Sequence, residues 1–172
     1  MAWSAYAGDR DLIGEDDGET GRGGWHFRRG PNHVHRGIDL RSAVGHEVVA
    51  VEDGIAEYRS ATVLPGVRGW NAAGHRVRLS GRSGAGYQYF HLGSHMASTV
   101  DAFPPGVRSG DVHAVRAGEV LGYAGHTGGS VATGLLIPAS AVHLHFQYHP
   151  WGVDGEDRNP ARLFERMGAP KD

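Results

Sequence analysis

The sequence contains no cysteine, and this absence excludes both disulfide bonds and thiolate ligands for a metal. Any transition-metal site must therefore be built from imidazole and carboxylate groups. Imidazole groups are plentiful, because 12 of the 172 residues are histidine. Histidine is the residue type around which candidate chemistry has to be sought.

Long apolar runs and concentrated positive charge are also missing. Nowhere do about 18 consecutive apolar residues occur, so we expect no membrane-spanning helix. The first residues, 1–6, lack the basic start and apolar core of a secretory signal peptide, and we expect no such peptide in this chain. The formal net charge of -2 and the absence of a Lys/Arg run predict that nucleic acid is not a partner.

The chain length suits one domain with its own hydrophobic core. Residues 7–24 combine acidic residues and glycine with few apolar groups, which predicts a loop-like N-terminal lead-in over residues 1–24. The domain itself is then expected over residues 25–172.

Short β-prone runs alternate with turn residues over most of this domain. Six runs are predicted to be strands, at residues 47–51, 54–58, 75–79, 86–91, 119–123 and 142–148. The 28 glycines suit tight turns in an antiparallel sheet and would weaken helices. We therefore predict a mainly β fold, an antiparallel sandwich or barrel-like single domain.

One short helix and three long loops complete the prediction. Asn159 can cap the helix, Pro160 occupies its first position, and residues 161–167 follow. The loops are predicted at residues 60–74, 94–114 and 127–141. Loops of this length in a compact domain are commonly functional, so we expect some of them to border a groove.

The first motif that carries chemistry is His35-Arg36-Gly37-Ile38-Asp39. If this segment is extended, its alternate positions point to one face, so the imidazole and the carboxylate lie on the same side. The glycine between them would leave room for an ion. Taken alone, the motif is better explained by a surface hairpin in which the two side chains only hydrogen-bond.

The second motif places His143 and His145 on one face of a predicted strand and Leu144 and Phe146 in the core on the other. Together the two motifs contain the residue types that a catalytic zinc site uses, since such a site typically has three protein ligands and one open position. His91, at the end of another predicted strand, adds an imidazole that can approach from the side.

Four motifs follow one another in the sequence: His-x-Gly-x-Asp at 35–39, Tyr-x-His-Leu at 89–92, Gly-x-x-Gly-x-Thr-Gly at 122–128 and His-x-His-Phe at 143–146. This ordered set resembles the lysostaphin/LytM-type metallopeptidases of family M23. The resemblance covers roughly residues 30–165 and, as four motifs in order, it is specific. It implies a β fold of the LytM type with long loops around a groove.

The resemblance also implies the roles of individual residues. One zinc ion per chain would be held by His35, Asp39 and His145. His143 and His91 would be catalytic, orienting or deprotonating the attacking water and steadying the oxyanion of the tetrahedral intermediate. His33 shares the strand parity of His35 and could in principle bind metal, but the resemblance gives it no role, so we expect it at the groove edge or surface. The remaining seven histidines match no ligand pattern and are expected to be solvated or hydrogen-bonded: His26, His46, His75, His95, His113, His126 and His149.

The implied function is a zinc-dependent endopeptidase that hydrolyses peptide bonds in peptidoglycan stems or cross-bridges, in the periplasm or cell wall. Because no leader is seen, three settings are open: a delivered antibacterial effector, a phage-type lysin and a trimmed secreted autolysin. The first two are favoured and would imply an immunity protein or delivery machinery as partner. Residues 129–142 are longer than the family's usual link before His143, which leaves the preferred substrate open.

Two functions of other classes are weighed against the enzyme. Some relatives have lost ligands and act as non-catalytic modules that recruit wall hydrolases, whereas all three ligands and both accessory histidines are present here. A sugar-transport phosphocarrier domain shares the His-x-Gly-x-Asp segment. It would not be expected to combine that segment with Tyr-x-His-Leu and His-x-His.

Overall fold

The computed structural model describes residues 24–30, 33–61, 72–129, 135–161 and 163. These residues form ten strands and one short 3-10 turn at Ala139–Ala141. The strands are β1 (Arg28–Gly30), β2 (His33–Val34), β3 (Ile38–Arg41), β4 (Glu47–Val49), β5 (Gly54–Arg59), β6 (His75–Gly81), β7 (Gly86–Leu92), β8 (Val112–Val115), β9 (Val120–Tyr123) and β10 (His143–His149). In the described ranges, no helix has the length and apolar content needed to cross a membrane.

The strands form one large and two small antiparallel sheets. The large sheet has the order β3-β10-β7-β6-β5-β8, while β4 pairs with β9 and β1 with β2. The predicted mainly β, antiparallel fold is confirmed. Alternate residues of the central strands enter a common core, whose largest fully buried apolar or aromatic side chains are Tyr58, Tyr89, Phe103, Phe146, Leu79, Leu92 and Leu121.

Strand β10 lies between β3 and β7, and this position fixes the side chains of the second histidine motif. His145 stands opposite Asp39 of β3 on one side and opposite Phe90 of β7 on the other. Backbone hydrogen bonds to both neighbours set this register, and a shift by one residue would turn His145 away from Asp39. Leu144 and Phe146 are buried in the core, as predicted.

All six predicted strands are present, with ends displaced by one or two residues. One loop prediction is wrong at its end: the segment expected to run from 94 to 114 stops at Asp111, because β8 begins at Val112 and pairs with β5. β8 is an edge strand whose first three residues are exposed, so it lacks the alternation of buried and polar residues that marks the central strands.

Other predictions fall partly outside the described residues. The lead-in over 1–24 does so except for Gly24, the loop over 60–74 does so at 62–71, and the loop over 127–141 does so at 130–134. The amide of Ala161 donates to Asn159 Oδ1 at 3.0 Å, in agreement with the expected cap. Of the predicted helix only residues 160, 161 and 163 are described, and the rest lies outside the described part of the chain.

Candidate metal centre

Three side chains converge where β3 and β10 pair. His145 Nδ1 is 2.8 Å from Asp39 Oδ1, its cross-strand neighbour. His35, which precedes β3, brings its Nε2 to 3.0 Å from Asp39 Oδ1 and 2.7 Å from His145 Nδ1. In the described residues, these three side chains form the cluster with metal-ligand geometry.

The donor set fits zinc. Two imidazole nitrogens and one carboxylate oxygen are ligands that zinc binds at about 2.0–2.2 Å in tetrahedral geometry. The three atoms lie 2.7 to 3.0 Å from one another, so they would have to separate by roughly half an ångström to surround such an ion. Three electron-rich atoms this close together repel one another. A cation, or in its absence a proton, has to lie between them to offset this repulsion.

Gly37 is required by close packing behind the ligands. A Cβ on this residue would lie 2.3 Å from Phe146 O and 2.9 Å from both Gln147 Cγ and His145 Nε2. The glycine of the His-x-Gly-x-Asp motif thus makes room for β10 and its side chains. The expectation that Gly37 leaves room for an ion has to be corrected, because that space is occupied by Phe146 O, Gln147 and the Nε2 side of the His145 ring.

The orientation of His35 is set by a backbone carbonyl. Its Nδ1 donates to Gly24 O at 2.7 Å, and this contact leaves the lone pair of Nε2 directed at Asp39 and His145. The chain on either side is also fixed, since His26 N donates to His35 O and His35 N donates to Phe27 O. The segment that holds His35 therefore begins at residue 24.

Asp157, a buried carboxylate in the last described loop, fastens this segment. It accepts hydrogen bonds from Trp25 Nε1 and Arg36 Nε, each at 2.8 Å. His26 stacks on Trp25 and brings its Nε2 to 3.5 Å from the same carboxylate. Burial opposes ionisation of Asp157, but the Arg36 and Trp25 hydrogen bonds outweigh it and lower its pKa. A charged Asp157 thus ties together the residues that flank Gly24 and His35.

Electrostatics keep the cluster ready for a cation. Burial is the main effect on His145 and lowers its pKa to about 4, so the imidazole is neutral at physiological pH. Burial also opposes the charge on Asp39, but its close polar contacts with His145 and His35 outweigh this and hold the pKa of Asp39 well below the usual value. Neutral imidazole and ionised carboxylate are the protonation states that bind metal.

His91 is aimed at the cluster by an unusual backbone conformation. Its φ of 65° lies in the left-handed region, which costs a non-glycine residue about 1–3 kcal/mol. Its ring Nδ1 donates to Thr127 O at 2.9 Å, while the Thr127 hydroxyl donates to Leu92 O and accepts a hydrogen bond from His75 N. The threonine of the Gly-x-x-Gly-x-Thr-Gly motif therefore holds His91 in place.

The two histidines with predicted catalytic roles lie side by side next to the cluster. The ring centroid of His91 is 4.8 Å from that of His143 and 5.9 Å from that of His145. His143 donates from Nδ1 to Ala141 O at 2.8 Å, and its Nε2 is 3.8 Å from Asp39 Oδ1. Burial, followed by the nearby His143 and His145, lowers the pKa of His91 well below its usual value.

The structure therefore brings together all five residues singled out in the sequence, while their roles remain predictions. It also shows partners that the sequence did not indicate: Gly24, Phe90, Thr127, Gln147, His149 and Asp157. Phe90 stacks on His145 at 5.2 Å with 8° between the rings. Strand alternation could have pointed to Gln147 and His149, which share the parity of His143 and His145.

The family follows from a match to a family model. Residues 33–160 match the model of peptidase family M23. This match spans most of the sequence, and the chain belongs to peptidase family M23. No curated protein matches the chain.

Solved structures with the same fold include three at 19 to 24% sequence identity. LytU is 22% identical, with a TM-score of 0.55 over 86% of this chain and 88% of its own. The catalytic domain of lysostaphin, an antimicrobial peptidase from Staphylococcus simulans, is 24% identical, with a TM-score of 0.53 over 84% and 90%. The catalytic domain of EnpA, a prophage-encoded M23 protein of Enterococcus faecalis, is 19% identical, with a TM-score of 0.52 over 80% and 85%.

Proposed function

We propose that this chain is a zinc-dependent endopeptidase that hydrolyses peptide bonds in peptidoglycan stems or cross-bridges, in the periplasm or cell wall. His35, Asp39 and His145 are the proposed ligands of one zinc ion. The main support is that two further imidazoles, His143 and His91, stand beside a complete ligand set. A bound zinc ion would supply Lewis acidity, which polarises a carbonyl and acidifies water.

His91 is suited to orient the attacking water. Its Nδ1 proton is committed to Thr127 O, and its lowered pKa keeps the ring neutral, so Nε2 offers a lone pair. A water molecule that donates to this lone pair would be held with its own oxygen lone pairs free for attack. The buried position of His91, 9% exposed, and its backbone conformation keep this acceptor in one place.

His143 is suited to carry the proton. Its Nδ1 is occupied by Ala141 O, so Nε2 is the nitrogen that can accept a proton from the attacking water. The Asp39 carboxylate at 3.8 Å would stabilise the resulting imidazolium, whose Nε2–H can then be given to the departing amine. The proton removed from water thereby reaches the leaving group, and the ring returns to its neutral form.

The presence of His143 and His91 beside a complete set of candidate ligands favours the enzyme over a module that only recruits wall hydrolases. Such a module would not need these two histidines. We expect the groove loops to determine which peptidoglycan bond is cut. The favoured setting, a delivered antibacterial effector or phage-type lysin with an immunity protein or delivery machinery, stays a prediction from the sequence.

The decisive experiment combines metal content with wall cleavage. Elemental mass spectrometry of the purified protein should find about one zinc ion per chain, the stoichiometry expected of a single three-ligand site. Incubation with purified sacculi should release soluble fragments and new amino groups, and a chelator should abolish the release. Zinc without cleavage of several wall types would favour the recruiting module, and absence of zinc binding would refute the proposed metal site.

A further inference from the structure

Buried polar side chains continue from His145 along the same face of β10. Gln147 and His149 occupy the next alternate positions, with 8% and 3% of their surfaces exposed. The Gln147 amide lies between two imidazoles: Nε2 is 2.9 Å from His145 Nε2, and Oε1 is 3.1 Å from His149 Nε2. Two buried donors, or two buried acceptors, that face each other raise the free energy of the folded state. These contacts therefore restrict which nitrogen atoms can carry protons.

The far end of this chain fixes the proton of His149. His149 Nδ1 is 2.8 Å from Gly155 O, and because a carbonyl only accepts, Nδ1 must carry the proton. Neutral His149 then offers a lone pair at Nε2. Gln88 agrees with this assignment, since its Nε2 donates to Val153 O and also lies 3.1 Å from His149 Nε2. Gln88 is then one donor to His149 Nε2, whereas the Gln147 oxygen drawn opposite the same nitrogen would place two acceptors face to face.

The same reasoning applies at the end next to the cluster. His145 directs Nδ1 at His35 and Asp39, so ligation through Nδ1 leaves the ring proton on Nε2, where it needs an acceptor. The Gln147 oxygen can accept this proton, and the Gln147 nitrogen can donate to His149. A half-turn of the amide, which leaves its shape unchanged, satisfies both contacts at once.

We propose that Gln147 and His149 are positioning residues of the metal centre, an inference that rests on the proposed zinc site. Gly155 O holds the proton of His149 on Nδ1, and His149 holds the Gln147 amide in one orientation. That amide holds the proton of His145 on Nε2, so that the lone pair on Nδ1 faces the metal. Gly37 belongs to this relay because any side chain there would displace both His145 and Gln147.

The first test is zinc affinity, measured by competition with a chromophoric chelator. Gln147→Leu keeps the approximate size but leaves the His145 Nε2 proton unpaired, and should weaken zinc binding about 10–100-fold. Gln147→Glu restores an acceptor and should bind zinc much more tightly than Gln147→Leu. Tyr87→Phe is the matched control. Tyr87 lies on the neighbouring strand β7, and its hydroxyl donates a partly buried hydrogen bond to Glu52 rather than to Gln147 or His149, so zinc affinity should be unchanged.

The second test concerns His149. His149→Phe should weaken zinc binding several-fold while Gln147 is present and should add nothing in the Gln147→Leu background, because His149 acts through the amide. Independent contributions from the two sites would refute the relay. If Gln147→Leu fails to fold, His149→Phe alone decides, and an affinity equal to that of the unchanged protein refutes the proposal.

A third experiment needs no variant and distinguishes failure of the relay from failure of the proposed zinc site. Imidazole ¹⁵N NMR of the zinc-loaded protein should show His149 protonated at Nδ1 alone and His145 protonated at Nε2. A proton on His149 Nε2 would refute the relay while leaving the zinc site intact. Failure of the unchanged protein to bind zinc would instead refute the metal site on which the relay rests.

Discussion

The two halves of the candidate metal centre are held in different ways. Asp39 and His145 lie on neighbouring strands, where register places them opposite each other. His35 precedes β3 and is held by loop contacts, namely the carbonyl of Gly24 and the Asp157 carboxylate that fastens the residues beside it. We refer to Asp39 and His145 as the strand half of the site, and to His35 with its contacts to Gly24 and Asp157 as the loop half.

The comparison shows two ways of fixing a ligand. In the strand half, backbone hydrogen bonds of the central strand β10 set the side-chain direction, and Phe90 limits rotation of the His145 ring by stacking on it. In the loop half, side-chain hydrogen bonds to Asp157 from Trp25 and Arg36 hold the residues beside Gly24 and His35, with no strand pairing at His35 itself. Disturbance of the loop half should therefore weaken metal binding by a route that leaves the sheet unchanged.

The largest expected effect lies within the strand half and separates neighbouring histidines. His145→Ala should lose zinc affinity by more than about 100-fold together with activity, because it removes a direct ligand rather than an outer partner. His143→Ala should retain zinc but lose about 10²–10⁴-fold in turnover, the usual contribution of a general base. Metal content and wall-cleavage rates would be measured on both variants. Full activity in His143→Ala would contradict the assigned role.

The next effect is the pH dependence of stability in the metal-free protein. The folded protein keeps His145 neutral down to about pH 4, whereas the unfolded chain takes up a proton near the ordinary value of 6.5. Between these values the unfolded state binds more protons, so the free energy of unfolding falls as the pH is lowered. The shift corresponds to about 3 kcal/mol, lost between roughly pH 6.5 and pH 4.

Urea unfolding of chelator-treated protein at several pH values would measure this loss. Asp39 acts in the same direction. Its pKa is lower in the folded protein than in the unfolded chain, so its charge stabilises the fold at pH values above the unfolded pKa, and this stabilisation is lost on acidification. His145→Gln removes the titrating ring and should flatten the profile. An equally steep profile in that variant would show that the acid sensitivity arises elsewhere.

The smallest predicted effect tests the loop half directly. Asp157→Ala leaves the indole of Trp25 and the guanidinium of Arg36 without their acceptor and should cost about 1–3 kcal/mol of stability. Because Gly24 is then held less firmly, zinc affinity should fall by up to about tenfold. Thermal unfolding and chelator competition would measure the two effects.

Asp154→Ala is the control for this prediction. Asp154 lies in the same loop and pairs with Arg78, but its side chain is 88% exposed, so its loss should change stability by less than about 1 kcal/mol and leave zinc affinity unchanged. Equal zinc affinity in the Asp157 and Asp154 variants would show that the loop half does not act on His35.

The contrast between the halves also explains what the sequence could and could not predict. Alternation located β10 and the shared face of His143 and His145, and the order of motifs led to the ligand set. Alternation did not reveal β8, an edge strand with little burial, nor the two short strands β1 and β2, which pair with each other. Strand parity is local, so it could be read along the chain before the fold was known.

The outer partners of the ligands were not predictable in this way. Gly24 acts through a backbone carbonyl, which carries no side-chain signal, and Asp157 is an ordinary acidic residue until the fold brings it to Trp25. Gln147 and His149 share the parity of the ligands, but their function depends on which atoms face each other across a buried contact. Such information arises from tertiary structure rather than from spacing.

The contact between His35 and Gly24 also bears on where the functional unit begins. The family match starts at residue 33, yet the carbonyl that orients His35 belongs to residue 24 and is fastened through residue 25. A fragment cut at the limits of the match would keep all three candidate ligands but would lack the carbonyl group that orients His35. The contacts that orient His35 therefore extend nine residues upstream of the family match, and we predict that shortened versions of the chain need to start no later than Gly24 to keep the proposed site.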